Sequence, residues 1–415
     1  MIMSPSIVQC CCVVLLAGWL PAAEYAVAPK GDDAGSGKAE APWATLRHAL
    51  TRAGAGDTIY LVRGGTYREV ACPIPTGVTI AAIGPESQPA PVITTSVVVP
   101  SLSPWERNAK VLTARVDKRV LACYVDGRFH ILARYPNVGW MRTRTGTTPD
   151  MIVDPERANQ AKAAAQRWVG AQVRWRRWSW WWETRPITGD DGSARISLGP
   201  DGRFQDAMTG EGSAWCVDNC LAELDAPGEW FWDAATSMLY VFPASDSENK
   251  KPVVEIVVEP KGFTCAGATI EGVAFSRMAG TALEINRPSK IRNCVFSDQE
   301  EDAIRGNFDA FGTLISGCTF RDVRNVAISW AENKAAAGGT VFEKNHFERI
   351  GMQPGYGGSG SWHAAGVIIY GGNAVIMRLN RLVDVGYAGV ILGSDGQVVD
   401  RNVFVRCMSQ LNDGA

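Results

Sequence analysis

Residues 265–415 alternate short apolar and polar runs in a phrase that comes round six times. In register, the copies read IEGVAF from Ile270, IRNCVF from Ile291, ISGCTF from Ile315, FEKNHF from Phe342, MRLNRL from Met377 and VDRNVF from Val399. Their closing column is Phe275, Phe296, Phe320, Phe347, Leu382 and Phe404. Two places earlier stand Val273, Cys294, Cys318, Asn345, Asn380 and Asn402. After a polar corner each copy adds a second apolar segment, as in TALEI, DAIRG, VAISW, AGVIIY and YAGVIL. Such short runs, rich in Val and Ile, predict strands rather than helices. Like positions recur at roughly 21 to 35 residues, the spacing of a solenoid whose turns bury their apolar faces only by stacking. The pattern therefore predicts an all-β fold, a parallel β-helix, over residues 253–415. Adjacent coils lie about 4.8 Å apart, so the Phe column predicts a ring stack and the Asn column an amide ladder.

The N-terminal part, residues 24–96, reads as a cap and the first coils. YAVAPKGDDAGSG is a strand and a Gly/Asp loop, and GDTIYLVRGGTY is a strand and a Gly64-Gly65 turn. Between them PWATLRHALTRA predicts a short helix with Leu46, Ala49 and Leu50 on one face, suited to cover the apolar end of a solenoid. Residues 97–252 break the repeat. Turn dipeptides at Asp126-Gly127, Asp191-Gly192, Asp201-Gly202 and Pro227-Gly228 separate β-prone runs, which predicts an inserted β-rich, sandwich-like domain. Trp178, Trp180 and Trp182 alternate as one buried face of a strand would, although a ligand-stacking platform is the other reading.

The order of Gly/Asp loop, Ala-Thr-Leu helix, Gly-Asp-Thr-Ile strand and Gly-Thr-Tyr resembles secreted right-handed parallel β-helix proteins of the pectate-lyase-like superfamily. ILARYPN from Ile131 and LAELDAPGEWFWD from Leu221 resemble the β-rich insertion of bacterial glycoside hydrolase families 120 and 141. The resemblance implies a right-handed solenoid and a carbohydrate-active protein, with a polysaccharide or oligosaccharide as its partner. Fold does not fix activity. Three readings stay open: a glycoside hydrolase, a polysaccharide lyase and a non-catalytic carbohydrate-binding or surface protein.

Composition adds little to that picture except tryptophan, of which there are 15. Trp lines β cores and sugar clefts alike. A formal net charge of −2 gives no electrostatic reason to expect nucleic acid as a partner. Residues 7–20 form an apolar run followed by Pro21-Ala22-Ala23, too short to span a bilayer and matching the core of a secretory signal over residues 1–23. A secreted or periplasmic location follows, with no membrane span. Export permits disulfides, and Cys216 and Cys220 are close enough in sequence to pair; Cys294 and Cys318 share a buried column and read as small core residues. No Cys or His spacing suggests zinc.

Chemistry in a β-helix sits on the outward face of a sheet and its corners. If Leu283, Ile304, Ile328, Val367 and Val390 point inward, Glu284, Arg305 and Ser329 point out, with Asn286, Asn307 and Tyr370 one step on. Glycoside hydrolysis needs two carboxyl groups. The expected catalytic pair is Asp413, in the terminal LNDGA that resembles a segment of such hydrolases, and Asp395. Glu332, Asn333, Arg305, Trp362, His363, Tyr370 and Tyr387 are the expected substrate-binding residues. Glu300-Glu301-Asp302 reads as a solvated charge run. No metal or cofactor is expected for a hydrolase. A lyase would use a base such as Arg305 and could hold Ca²⁺ at Asp302 and Asp309. The repeat stops mid-turn at LNDGA, which predicts further coils beyond it.

Overall fold

The computed structural model describes residues 22–159, 164–200, 211–244, 251–332, 339–357, 363–371 and 375–412. The expected signal sequence falls almost wholly outside them.

Three parallel sheets run the length of the molecule. The first has nine strands, opening with Glu24–Val27, Thr58–Val62 and Thr79–Ile83 and passing directly to Thr269–Glu271. The second has eight, from Thr66–Arg68 to Val403–Cys407, and the third seven, from Pro73–Ile74 to Val390–Leu392. Apart from the terminal coils, each coil contributes one strand to each sheet, so like residues stand in register. Phe275 pairs with Phe296, Phe296 with Phe320 and Phe320 with Phe347. Their rings stack at 5.2, 5.1 and 4.8 Å, within 8° of parallel. All four are fully buried.

The tight turn between first and second sheets explains the Asn column. The residue before that column is left-handed in each coil, as at Gly272 (φ +68°) and Leu379 (φ +57°). For Leu that conformation is unfavourable by about 1–2 kcal/mol, and side-chain hydrogen bonds one residue later hold it. Asn380 Oδ1 accepts from the Asn345 amide at 2.9 Å, and Asn380 Nδ2 donates to the Phe342 carbonyl at 2.9 Å. Asn402 Oδ1 receives the Asn380 amide in the same way. Backbone groups that a sharp corner would orphan are thus satisfied along the axis.

The expected helix spans Leu46–Arg52, capped by Thr45 Oγ1, which accepts from the His48 amide at 3.1 Å. Leu46, Ala49 and Leu50 are buried against the first strands.

Between Thr94 and Phe263 the chain leaves the solenoid and builds two further sheets. One has eight strands and includes Ser96–Val98, Val254–Val257, Ala122–Val125, Arg128–Leu132 and Glu229–Asp233. The other is built on Gln172–Trp178, Trp181–Asp190 and Ala214–Asp218. Each has its own core, one around Trp230, Leu239 and Ile256, the other around Trp168, Trp175 and Trp215. Outgoing and returning chains lie side by side, Ser96 opposite Val257.

The tryptophan run does not form one strand face. Trp178 ends one strand, Trp181 opens the next, and Ser179-Trp180 make the hairpin turn. Trp178 and Trp180 stack at 5.0 Å with planes 7° apart, both partly exposed, while Trp181 and Trp182 are buried. The turn breaks the alternation, because residues across a two-residue turn no longer share the strand's period. All eight described cysteines are free thiols, Cys216 and Cys220 among them.

Candidate active site

In the third sheet each strand Leu283–Ile285, Ile304–Gly306 and Ile328–Trp330 buries its outer two residues and turns its middle one outward. Glu284 therefore stands beside Arg305, and Arg305 beside Ser329, as the alternation of a strand requires. The corner before the sheet supplies Asp302. Its Oδ2 accepts from Arg305 Nη2 at 2.9 Å and Nε at 3.2 Å; its Oδ1 accepts from Asn325 Nδ2 at 2.7 Å and the Val326 amide at 3.3 Å. Arg305 Nη1 lies 3.8 Å from Glu284 Oε1, so one guanidinium bridges two carboxylates.

Burial pushes the Asp302 carboxyl up, and Arg305 with the other donors only partly opposes it. The Glu301 carboxyl is likewise raised by desolvation, with Asp302 and Glu284 adding repulsion to which Arg305 is opposed. Desolvation pulls Arg305 down, but the surrounding carboxylates outweigh it and its pKa rises. Tyr370, 39% exposed, is pushed up to about 12 by desolvation and by the charge of Asp302.

Of the acidic run Glu300-Glu301-Asp302, expected to be a solvated face, only Glu301 is exposed. Asp302 is 2% exposed, and Glu300 Oε1 lies 3.0 Å from Tyr124 Oη and 3.1 Å from Arg324 Nη1. Covered corners are invisible to a reading of local charge. The signal available was the position of Asp302, two residues before an inward Ile304, where the inserted sheets arrive.

Other expected residues scatter. Glu332 is buried, and its Oε1 accepts from Trp330 Nε1 at 2.7 Å and from Thr340, a place from which it braces the coil. His363 is buried. Tyr387 is also buried, in a cluster with Trp182, Ala214, Ala364 and Leu411 that joins insert to solenoid. Asp395 is exposed just past the strand Val390–Leu392. Asp413, Asn333 and Trp362 lie outside the described residues, but Asn412 is fixed: its amide donates to the Ser179 carbonyl at 3.1 Å, at the tip of the tryptophan hairpin. Beyond the polar row the outward residues turn apolar, Ile368 and Ile391, covered with Val326 and Ala365. Among the described residues no group of three His, Cys, Asp or Glu is arranged to hold a metal ion, and no helix is long and apolar enough to cross a membrane.

Residues 262–404 match a family model described as a right-handed beta helix region. No curated protein shows significant sequence similarity to the chain. Among solved structures, one named glycoside hydrolase superposes with a TM-score of 0.68 at 16% identity, over 90% of this chain and 80% of that one. Another, the complex of XylC with xylose, gives 0.54 at 16% identity, over 92% of this chain and 62% of that one. At such identities the likeness is one of fold. The chain is a right-handed parallel β-helix protein, whose residues 262–404 match the family model and whose early and later coils are separated by two further β-sheets.

Proposed function

We propose that the protein is a glycoside hydrolase that binds a polysaccharide or oligosaccharide along the outward face of the third sheet and acts outside the cytoplasm. The observation that carries this reading is the row Glu284, Arg305 and Ser329 with Asp302 behind it. Carboxylates, a guanidinium and a hydroxyl in one line suit successive sugar hydroxyls. The two solved structures of like fold, one named a glycoside hydrolase and one holding xylose, agree with that class.

Asp413 is the carboxylate assigned to catalysis, with Asp395 as its partner. In the repeat, Asp302-Ala303-Ile304, Val326-Ala327-Ile328, Ala365-Gly366-Val367 and Ala388-Gly389-Val390 are successive copies. By sequence alone the next copy is Asp413-Gly414-Ala415, which would give Asp413 the repeat position of Asp302. One carboxyl group would donate a proton to the leaving oxygen and the other would activate water or attack carbon. A lyase reading is weaker because a base must shed its proton, and the carboxylates around Arg305 make that harder.

The test is turnover on a panel of aryl glycosides and polysaccharides. Asp413→Asn is expected to lower kcat by orders of magnitude with the fold retained. Near-normal hydrolysis by that variant would remove Asp413 from the mechanism, and unsaturated, ultraviolet-absorbing products from the wild type would replace hydrolysis with elimination.

A further inference from the structure

A cavity lies away from the third sheet, between the two inserted sheets. It measures about 400 Å³, within the range of small-ligand sites. Its apolar wall includes Trp230 and Trp232. Both indole N–H groups are already committed, Trp230 Nε1 to the His130 carbonyl and Trp232 Nε1 to the Val116 carbonyl, each at 3.0 Å. Trp230 is buried as part of the insert core and backs the cavity, while the partly exposed Trp232 ring, held in place, offers a preorganised surface for stacking.

Three polar side chains line the same space: Arg119, Gln172 and Asn219. None has a side-chain hydrogen bond or ion pair among the described residues, although the protein satisfies most of its other arginines. Among the described residues, Arg119 is the only charged one of the lining. Gln172 opens one strand opposite Asp218, the last residue of its neighbour, and Asn219 follows that residue directly. Asn219 is left-handed (φ +55°), and the Cys220 amide is tied to the Ala133 carbonyl at 3.3 Å, which anchors the chain beside it.

We propose that this cavity is a binding site for a single hexuronate residue, free or at the end of a glycan. The Trp232 ring takes the pyranose face, the Gln172 and Asn219 amides its hydroxyls, and the Arg119 guanidinium, without a partner among the described residues, its carboxylate, the anion geometry that arginine matches best. The site is separate from the proposed hydrolytic groove and does not depend on it.

The experiment is saturation-transfer NMR on the full chain with glucuronate, galacturonate, glucose and xylose as probes. Saturable binding of a uronate, tighter than that of glucose, is expected. Arg119→Met, a change at an exposed side chain, should weaken uronate binding about tenfold, the size of one charge-assisted hydrogen bond. Asn219→Gly keeps the left-handed backbone and should weaken it as well. The proposal is overturned if no uronate binds, if glucose binds equally well, or if binding survives both substitutions unchanged. None of these readouts involves hydrolysis, so they stand apart from the catalytic test.

Discussion

The guanidinium of Arg324, in a corner of the solenoid, lies 3.4 Å from the centre of the Phe129 ring, in the insert. The same side chain pairs with Glu300 at 3.1 Å, and both partners are largely buried. Arg174 repeats the arrangement from the other side, 3.9 Å over Tyr356 and 2.7 Å from Asp218. Insert and solenoid are joined by desolvated cations set on aromatic faces, not by apolar contact alone.

Arg324→Ala should therefore lower stability by about 3–5 kcal/mol, because it leaves Glu300 buried without its counter-charge. Urea denaturation of the variant checks this. A double variant with Glu300→Gln should recover part of the loss, since the orphaned charge is then gone.

Asn380→Ala should cost about 1–3 kcal/mol for each backbone group it orphans, the Asn345 N–H and the Phe342 carbonyl. The loss should exceed that of Asn402→Ala, whose residue is less buried. Equal, small losses in both would mean that water replaces the amide.

Those two columns were readable in the sequence because a solenoid places like residues in like environments, so repetition reveals burial directly. Phe296 and Asn380 sit where the register puts them. The Asp302–Arg305 pair was not readable as a unit. Its form depends on which corner residues the insert covers, and that contact joins segments nearly two hundred positions apart, as between Tyr124 and Glu300. Glu332 was misplaced for a related reason: a carboxylate next to a strand reads as solvated until a buried Trp330 N–H is found pointing at it.

Glu229 gives a pH dependence. It is buried, and desolvation raises its pKa from 4.5 to about 7 against the pull of three backbone amides. Between those values the folded protein holds a proton that the unfolded chain has released. Stability should fall as pH rises from 4.5 to 7 and this contribution should level off above that. Comparing Tm across that window with Glu229→Gln checks it; the variant should show a shallower slope.

Arg305→Met should raise KM for any oligosaccharide long enough to cross the row and leave kcat for a short aryl glycoside nearly unchanged. Steady-state kinetics on the two substrate lengths separates the effects. An equal fall in kcat on both would give Arg305 a part in the chemistry instead.

Cys294 and Cys318 should resist alkylation in the native protein. Both are buried at the coil corner, and burial pushes the Cys294 thiol well above its usual range. Mass spectrometry after iodoacetamide treatment should find them unmodified until denaturant is added, with the partly exposed Cys72 labelled earlier.

Ile80 pairs with Ile270 in the first sheet, on coils adjacent in space, while the whole insert lies between them in sequence. Every later coil closes a loop of only a few tens of residues. Closing this one costs about 2 kcal/mol more in chain entropy, by the logarithm of the length ratio. Growth of the solenoid by successive short closures is thus interrupted at a single joint. The coils after Thr269 can assemble upon one another by short closures, and so can the first coils with their capping helix, but the two stacks join only across the insert. With Ser96 paired to Val257 the remaining gap between Ile80 and Ile270 is short, so assembly is expected to run from the insert to the joint and not along the chain.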